Sequence, residues 1–192
     1  MGITTDNFFE NIYSVIFSPK AFFEREDLTI SIRLAIATLM LITIISKLAT
    51  GIFDGSISSA MFILSIIWSI ISTIFLWFIT ALFFEYIAKI FDKGGNLARI
   101  LFYTSFAPIP YIFFAPLNLL KNIEGFGYIL AANAEFLLYL WIIFLYVLAI
   151  KAVYKISLSR SFMLVFLPFI ASFFAFYWII CFFQKVWYIF SV

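Results

Sequence analysis

The sequence of 192 residues contains no histidine, a single cysteine, and few charged side chains, 12 basic and 10 acidic. Without histidine it lacks the commonest general base and the commonest metal ligand. Cys181 alone cannot form an intrachain disulfide. The apolar stretches also lack a carboxylate pair at helical spacing, and the chain has no nucleotide-binding loop. These absences remove the usual catalytic constellations, so we predict a non-enzymatic protein with no cofactor and no metal.

The scarcity of charge also indicates the class of protein. Charged residues make up 11% of the chain and hydrophobic residues 66%, with a mean hydropathy of +1.15, whereas soluble domains carry about 25% charged residues. Lipid accepts so much apolar surface only if the backbone satisfies its own hydrogen bonds, which favours helices. The sequence therefore predicts an all-α, polytopic membrane helical bundle. The net charge is only +2 and the basic residues are spread along the chain, which argues against a nucleic-acid partner.

Five apolar stretches are long enough to cross about 30 Å of hydrocarbon at about 1.5 Å per residue. Their short connections imply antiparallel neighbours in one bundle. We expect residues 1–28 to form a cytoplasmic interfacial amphipathic segment and residues 29–192 to form a five-helix transmembrane domain. The predicted spans are 29–50, 59–88, 97–120, 128–151 and 161–183.

The N-terminal segment has the spacing of an amphipathic helix that lies in the membrane interface. Its removal, over residues 1–17, is expected to leave the bundle folded. The predicted interfacial residues are Phe8, Phe9, Ile12 and Ile16, with Glu10, Asn11 and Ser14 on the opposite face.

The third predicted span is irregular because it contains Pro108, Pro110 and Pro116. Each proline removes a backbone donor and disfavours helix in the residue before it. One interpretation is a kinked helix whose freed carbonyls are satisfied by neighbouring helices. The other is a broken helix that lines a cavity or a substrate path.

Polar residues inside the spans are candidate functional or pairing residues, because charge in the membrane is costly. Glu135 lies roughly 10 Å beyond the start of the fourth span by helical rise and is accompanied by Asn133. It is expected either to act in binding, gating or proton handling, or to pair between helices, with Lys47 as the candidate partner. Glu85 precedes Lys89 by four residues, the favourable order for an intrahelical ion pair.

Three stretches, taken in order, make the chain resemble the Yip family, the Ypt/Rab-interacting membrane proteins. The resemblance covers roughly residues 18–175. The stretches are Ser18–Glu24; Gly94-Gly95 followed by Phe102–Pro108; and Leu140-Trp141 through Lys151 to Ser157–Ser159, with Ser161-Phe162.

The resemblance implies a five-helix bundle with a cytoplasmic N-terminus. Eukaryotic members act in vesicle trafficking and bind prenylated Rab GTPases through a cytoplasmic N-terminal region. About 28 residues precede the first span here, and the Asp-Leu-Tyr-Gly-Pro motif of those members is absent. Both features argue against Rab binding and favour a prokaryotic-type member in the cytoplasmic membrane of a bacterium or an archaeon.

Two functions are consistent with these features. The first is a non-enzymatic membrane organiser or adaptor, whose partners are the lipid bilayer and another membrane protein or a second copy of itself. The alternative is a small-solute or ion permease component that uses the proline-broken third span and Glu135. A cavity that reaches the membrane midplane between those elements favours the permease, and a solid Phe-packed bundle favours the adaptor.

The distribution of basic residues predicts the orientation, because basic loops stay on the cytoplasmic side. Nine basic residues flank one set of span ends and three flank the other, so the N-terminus is expected inside and the C-terminus outside. The nine are Lys20, Arg25, Arg33, Lys89, Lys93, Arg99, Lys151, Lys155 and Arg160; the three are Lys47, Lys121 and Lys185.

Labelling with an impermeant thiol reagent tests this orientation. Cysteines introduced at Gly94 and Ser157 are expected to resist a reagent applied from outside the cell, because both lie in basic loops. A cysteine at Gly125 is expected to react. Labelling of Gly94→Cys from outside would contradict the five-span arrangement.

Overall fold

The computed structural model describes residues 5–25, 29–54, 59–91, 96–121, 123 and 125–190. Regular structure in these ranges is entirely helical, which confirms the predicted all-α class. A 3-10 helix, Ile109–Phe113, lies between α5 and α6. The α-helices are α1 (Thr5–Phe17), α2 (Pro19–Phe23), α3 (Ile32–Asp54), α4 (Ser59–Ile90), α5 (Leu97–Thr104), α6 (Phe114–Leu120), α7 (Gly127–Tyr154) and α8 (Leu158–Phe190).

The described residues include four segments that are long and apolar enough to cross a membrane. They coincide with the first four predicted spans. The fifth predicted span falls within α8, whose 33 residues have sufficient length, but its described apolar stretch covers only Leu158–Leu167. The fifth crossing therefore stays a prediction. The four segments are Ile32–Ala49, Ala60–Lys89, Leu97–Leu120 and Gly127–Tyr154.

Local sequence signals set several helix ends. The side chain of Asn96 accepts a hydrogen bond from the backbone N–H of Arg99 at 3.1 Å and caps α5. Pro19 lies in the first turn of α2, where its missing N–H costs nothing. Helix α7 ends on Lys155 in the left-handed conformation, with φ 50°, a position that glycine usually occupies.

The third span lies at the centre of the bundle. In its most apolar stretch of 18 residues 56% are buried, against 6% in the corresponding stretch of the second span. Phe102, Phe106, Ala107 and Ile109 are completely buried. The Phe106 ring lies 5.2 Å from that of Phe102 and 5.1 Å from that of Phe22 in α2. The hydrophobic core is thus built around the segment that contains the prolines.

Both N-terminal helices pack against this core. Val15 in α1 and Phe22 in α2 are fully buried, and α1 contacts the 3-10 helix. The prediction that Asn11 and Ser14 lie on the face away from the apolar side is wrong, because both are buried. Phe8, Ile12 and Ile16 pack against the core, whereas Phe9 is 65% exposed.

Because Val15 is buried in the core, removing residues 1–17 is now expected to expose core surface. A role of the α1 residues at the interface stays a prediction, as does the division of the chain at residue 29. Three residues of the second connection used in the sequence argument, Lys93, Gly94 and Gly95, lie outside the described residues.

The central packing predicts a large difference between two phenylalanine truncations. Phe106→Ala removes a fully buried ring and is expected to lower the free energy of unfolding by about 3–5 kcal/mol. Phe75→Ala, at a side chain 61% exposed on α4, is the matched control and is expected to cost much less. Unfolding in detergent measures both. Equal losses would contradict the position of the third span in the core.

Candidate functional site

The broken segment between α5 and α6 satisfies its backbone by short-range hydrogen bonds. The N–H of Ala107 donates to the carbonyl of Thr104 at 3.3 Å, and the N–H of Ile109 donates to that of Phe106 at 3.2 Å. The N–H of Tyr111 donates to the carbonyl of Pro108 at 2.9 Å. The break therefore takes 3-10 geometry, in which bonds span three residues instead of four.

The three prolines occupy different positions in this break. Pro108 precedes the 3-10 helix and Pro110 lies in its first turn, where the ring is tolerated. Pro116 is the third residue of α6 and is exposed. The described segment is a helix broken into α5, the 3-10 helix and α6, and its use as a substrate path stays a prediction.

A side-chain bond ties the break to α4. The indole N–H of Trp77 donates to the hydroxyl of Thr104 at 3.1 Å, and this hydroxyl donates to the carbonyl of Ile100 at 2.6 Å. Trp77 and Thr104 are both buried. Since a buried indole requires an acceptor, the pair fixes how α4 lies against α5.

A cavity of about 550 Å³ lies beside the break. It is bounded by α3, α4, the start of the 3-10 segment and Tyr146 of α7. Lys47 is the charged residue among its lining, whereas Glu135 is not part of the lining. Lining residues include Thr43, Ser46, Lys47, Trp68, Ser69, Ser72, Thr80, Pro108, Tyr111 and Tyr146.

Several hydroxyls in this cavity bond back to their own helix. Thr43 donates to the carbonyl of Leu39 at 2.8 Å, Ser72 to that of Trp68 at 2.8 Å, and Thr80 to that of Leu76 at 2.7 Å. Such bonds satisfy the donor inside a membrane and leave the oxygen as an acceptor. The wall of the cavity is therefore mainly apolar with scattered acceptors.

Glu135 forms an ion pair with Lys121, which directly follows α6. Gly125, with φ 78°, turns the chain between them. Gly127 begins α7 so close to the carbonyl oxygen of Leu120 that a Cβ would overlap it. This close contact brings the end of α6 against α7 and places the two charges together.

Lys47 was predicted to be the partner of Glu135, and the ion pair that the structure describes for Glu135 is with Lys121. The predicted pairing with Lys47 stays a prediction. Lys121 was missed because it lies outside the spans and fourteen positions away along the chain. Asn133 is exposed and donates to the carbonyl of Ile129 at 2.7 Å, so its amide bonds within its own helix.

Glu85 is buried and accepts a hydrogen bond from the hydroxyl of Tyr154 at 2.8 Å. This contact joins α4 to the end of α7 across 69 positions of sequence, a distance that no helical spacing could reveal. Lys89 is exposed and lines the same open depression as Glu85. The predicted pairing of Glu85 with Lys89 stays a prediction.

A second pocket, of about 320 Å³, was not predicted. It lies where α2, the start of α5 and the end of α7 meet, and five basic residues line it. The signal was present in the sequence, because all five belong to the nine basic residues that predicted the orientation. These residues are Lys20, Arg25, Arg99, Lys151 and Lys155.

A double-mutant cycle tests the observed ion pair. Glu135→Gln and Lys121→Met are each expected to lower the thermal stability of the purified protein, because each leaves one charge without its partner. The double variant should recover part of the loss, with a coupling energy of about 0.5–3 kcal/mol. A parallel cycle with Lys47→Met is the comparison. Coupling to Lys47 and none to Lys121 would favour the pair inferred from sequence.

No curated protein and no solved structure matches the chain significantly. A family model described as the Yip1 domain matches residues 13–179, a range that begins in α1 and includes the broken span, both pockets and most of α8. This match confirms the resemblance carried by the three sequence stretches. The chain belongs to the Yip1 domain family of integral membrane proteins.

Proposed function

We propose that the chain is a non-enzymatic membrane adaptor or organiser that engages lipid or other membrane proteins through its helical surfaces. The Yip family is generally non-enzymatic. The observation that carries the proposal is the solid packing of the broken span. Phe102, Phe106 and Ile109 are completely buried in the broken span, the segment that the permease alternative would use.

The surface offered to a partner is the first half of α4. The most apolar stretch of 18 residues in the second span is 6% buried, and the exposed side chains of α4 include two large aromatics, Trp68 at 70% and Phe75 at 61%. In lipid such a face can remain in contact with acyl chains or pack against another helix. An adaptor needs an exposed face of this kind to contact its partner.

The orientation belongs to the same proposal. Five of the nine basic residues counted from sequence lie around one pocket, at one end of the bundle. Basic clusters favour the cytoplasmic side, which supports an N-terminus inside and places α1 and α2 on the cytoplasmic half. An odd number of crossings, with α8 as the fifth, puts the C-terminus outside. The membrane is proposed to be the cytoplasmic membrane of a bacterium or an archaeon.

The cavity beside the break supports a second candidate, a small-solute or ion permease component. Its volume of about 550 Å³ lies within the roughly 300–1,000 Å³ of small-molecule sites. It contains Lys47 and touches Pro108 and Tyr111 of the broken span. Against this candidate, Glu135 belongs to a different site, where it pairs with Lys121.

Photo-crosslinking in native membranes tests the adaptor function. A crosslinking residue at Trp68 or Phe75 is expected to capture the same membrane protein, which must then form a complex with the chain when both are purified. The same residue at Phe84, which is buried in the same helix, is the matched control and should capture no partner.

Flux measurements in liposomes test the permease. The adaptor function predicts no passage of protons, ions or small solutes above that of protein-free liposomes. Flux that Lys47→Met abolishes would contradict the adaptor and support the cavity as a transport site. Thr43→Ala is a suitable control there, since it changes a lining hydroxyl and keeps the charge.

A further inference from the structure

The basic pocket lies at the end of the bundle that holds most of the charge. Its wall comes from the segment around α2, from the first turn of α5 and from the end of α7. Its volume is about 320 Å³, near the lower limit of roughly 300 Å³ for small-molecule sites. Because α2 and α7 end here and α5 begins here, we expect the pocket near the level of the lipid headgroups.

Among the described residues that line the pocket, positive side chains outnumber negative ones. Five cationic side chains face one carboxylate, that of Glu24. Lys151 contacts this carboxylate at 3.2 Å, and both side chains remain partly exposed. Cations converging from three separate elements repel one another unless an anion lies between them. An anionic ligand would remove that repulsion.

Tyr103 positions the two arginines of the pocket. Its ring lies 5.8 Å from the guanidinium carbon of Arg99, and its hydroxyl donates to the backbone carbonyl of Arg25 at 3.1 Å. The Nε of Arg99 is buried and makes no hydrogen bond within the described part of the chain. A guanidinium held on an aromatic face with an unused donor is suited to an oxyanion.

Lys155 lines the same pocket from the end of α7. It terminates the helix with φ 50°, the left-handed conformation in which helices often end. The floor of the pocket is apolar and includes Phe23 and Leu148, both buried.

We propose that this pocket binds the phosphate group of an anionic ligand, held by Arg99, Lys155 and Lys20. Two sources share this chemistry, namely an anionic phospholipid headgroup and a soluble phosphate compound. The apolar floor suits a ligand with a hydrocarbon part beside its phosphate. The inference deepens the proposed function, because it names the chemical class of lipid that the adaptor engages.

Binding to the full chain in neutral detergent tests the proposal with three probes: short-chain phosphatidic acid, short-chain phosphatidylcholine and inorganic phosphate. Phosphatidic acid is expected to bind at least tenfold more tightly than phosphatidylcholine. Arg99→Gln and Lys155→Gln should each weaken that binding by about tenfold, since each removes a cation from the phosphate. Glu24→Gln should strengthen it severalfold, because it removes the opposing carboxylate.

Arg33→Gln is the matched control, since Arg33 is exposed and belongs to the same basic end without lining the pocket. Its binding should stay within twofold of the unchanged chain. Lys20→Gln, at an exposed position on α2, provides a variant that folds even if a change at Arg99 does not. An equal loss in Arg33→Gln would show general surface attraction and overturn the pocket.

The three probes also separate the two sources. If phosphatidic acid binds and inorganic phosphate does not, the site recognises a lipid headgroup. If both bind comparably, the site recognises phosphate itself. Equal affinity for the two lipids, without binding of inorganic phosphate, overturns the proposal. If Trp68 crosslinks a membrane protein but no phosphate ligand binds, only this inference is wrong. If a phosphate ligand binds but Trp68 gives no crosslink, only the adaptor function is wrong.

Discussion

Inside a membrane, every backbone polar group has to find its partner within the protein. The third span departs from the regular α-helix at its prolines, and its N–H groups form 3-10 bonds there. Residues 100–107 lie in the centre of the bundle, near Phe22, Trp77 and α7, whereas Tyr111 and Phe113 are partly exposed. Helices α3, α4 and α7 pack against α5.

Charged side chains at both ends of the bundle also find partners within the protein. Lys121 and Glu135 meet where α6 turns into α7, and Glu85 meets Tyr154 where α4 passes the end of α7. These contacts satisfy polar groups within the chain. The basic pocket differs, because the buried Nε of Arg99 makes no hydrogen bond within the described part of the chain. The first two sites are paired within the chain, and the third is the proposed anion site.

This contrast bears on function. A permease needs a polar path through the bundle, and the broken span fills that position with fully buried Phe102 and Phe106. The cavity beside the break touches Pro108 and Lys47 but not Glu135, so the broken span and Glu135, the two features that suggested transport, do not share one cavity. The Yip1 domain family, the exposed side chains of α4 and the basic pocket of about 320 Å³ are consistent with the proposed adaptor.

The sequence alone determined the all-helical membrane class, the first four spans and the family, because long apolar runs and ordered motifs are local signals. The prolines likewise located the irregular span. Tertiary structure decided which charges meet: Glu135 with Lys121 required the turn at Gly125, and Glu85 with Tyr154 required helix packing. It also buried Asn11 and Ser14, because α1 packs on the bundle. The basic pocket joins three elements distant in sequence, and only folding brings them together.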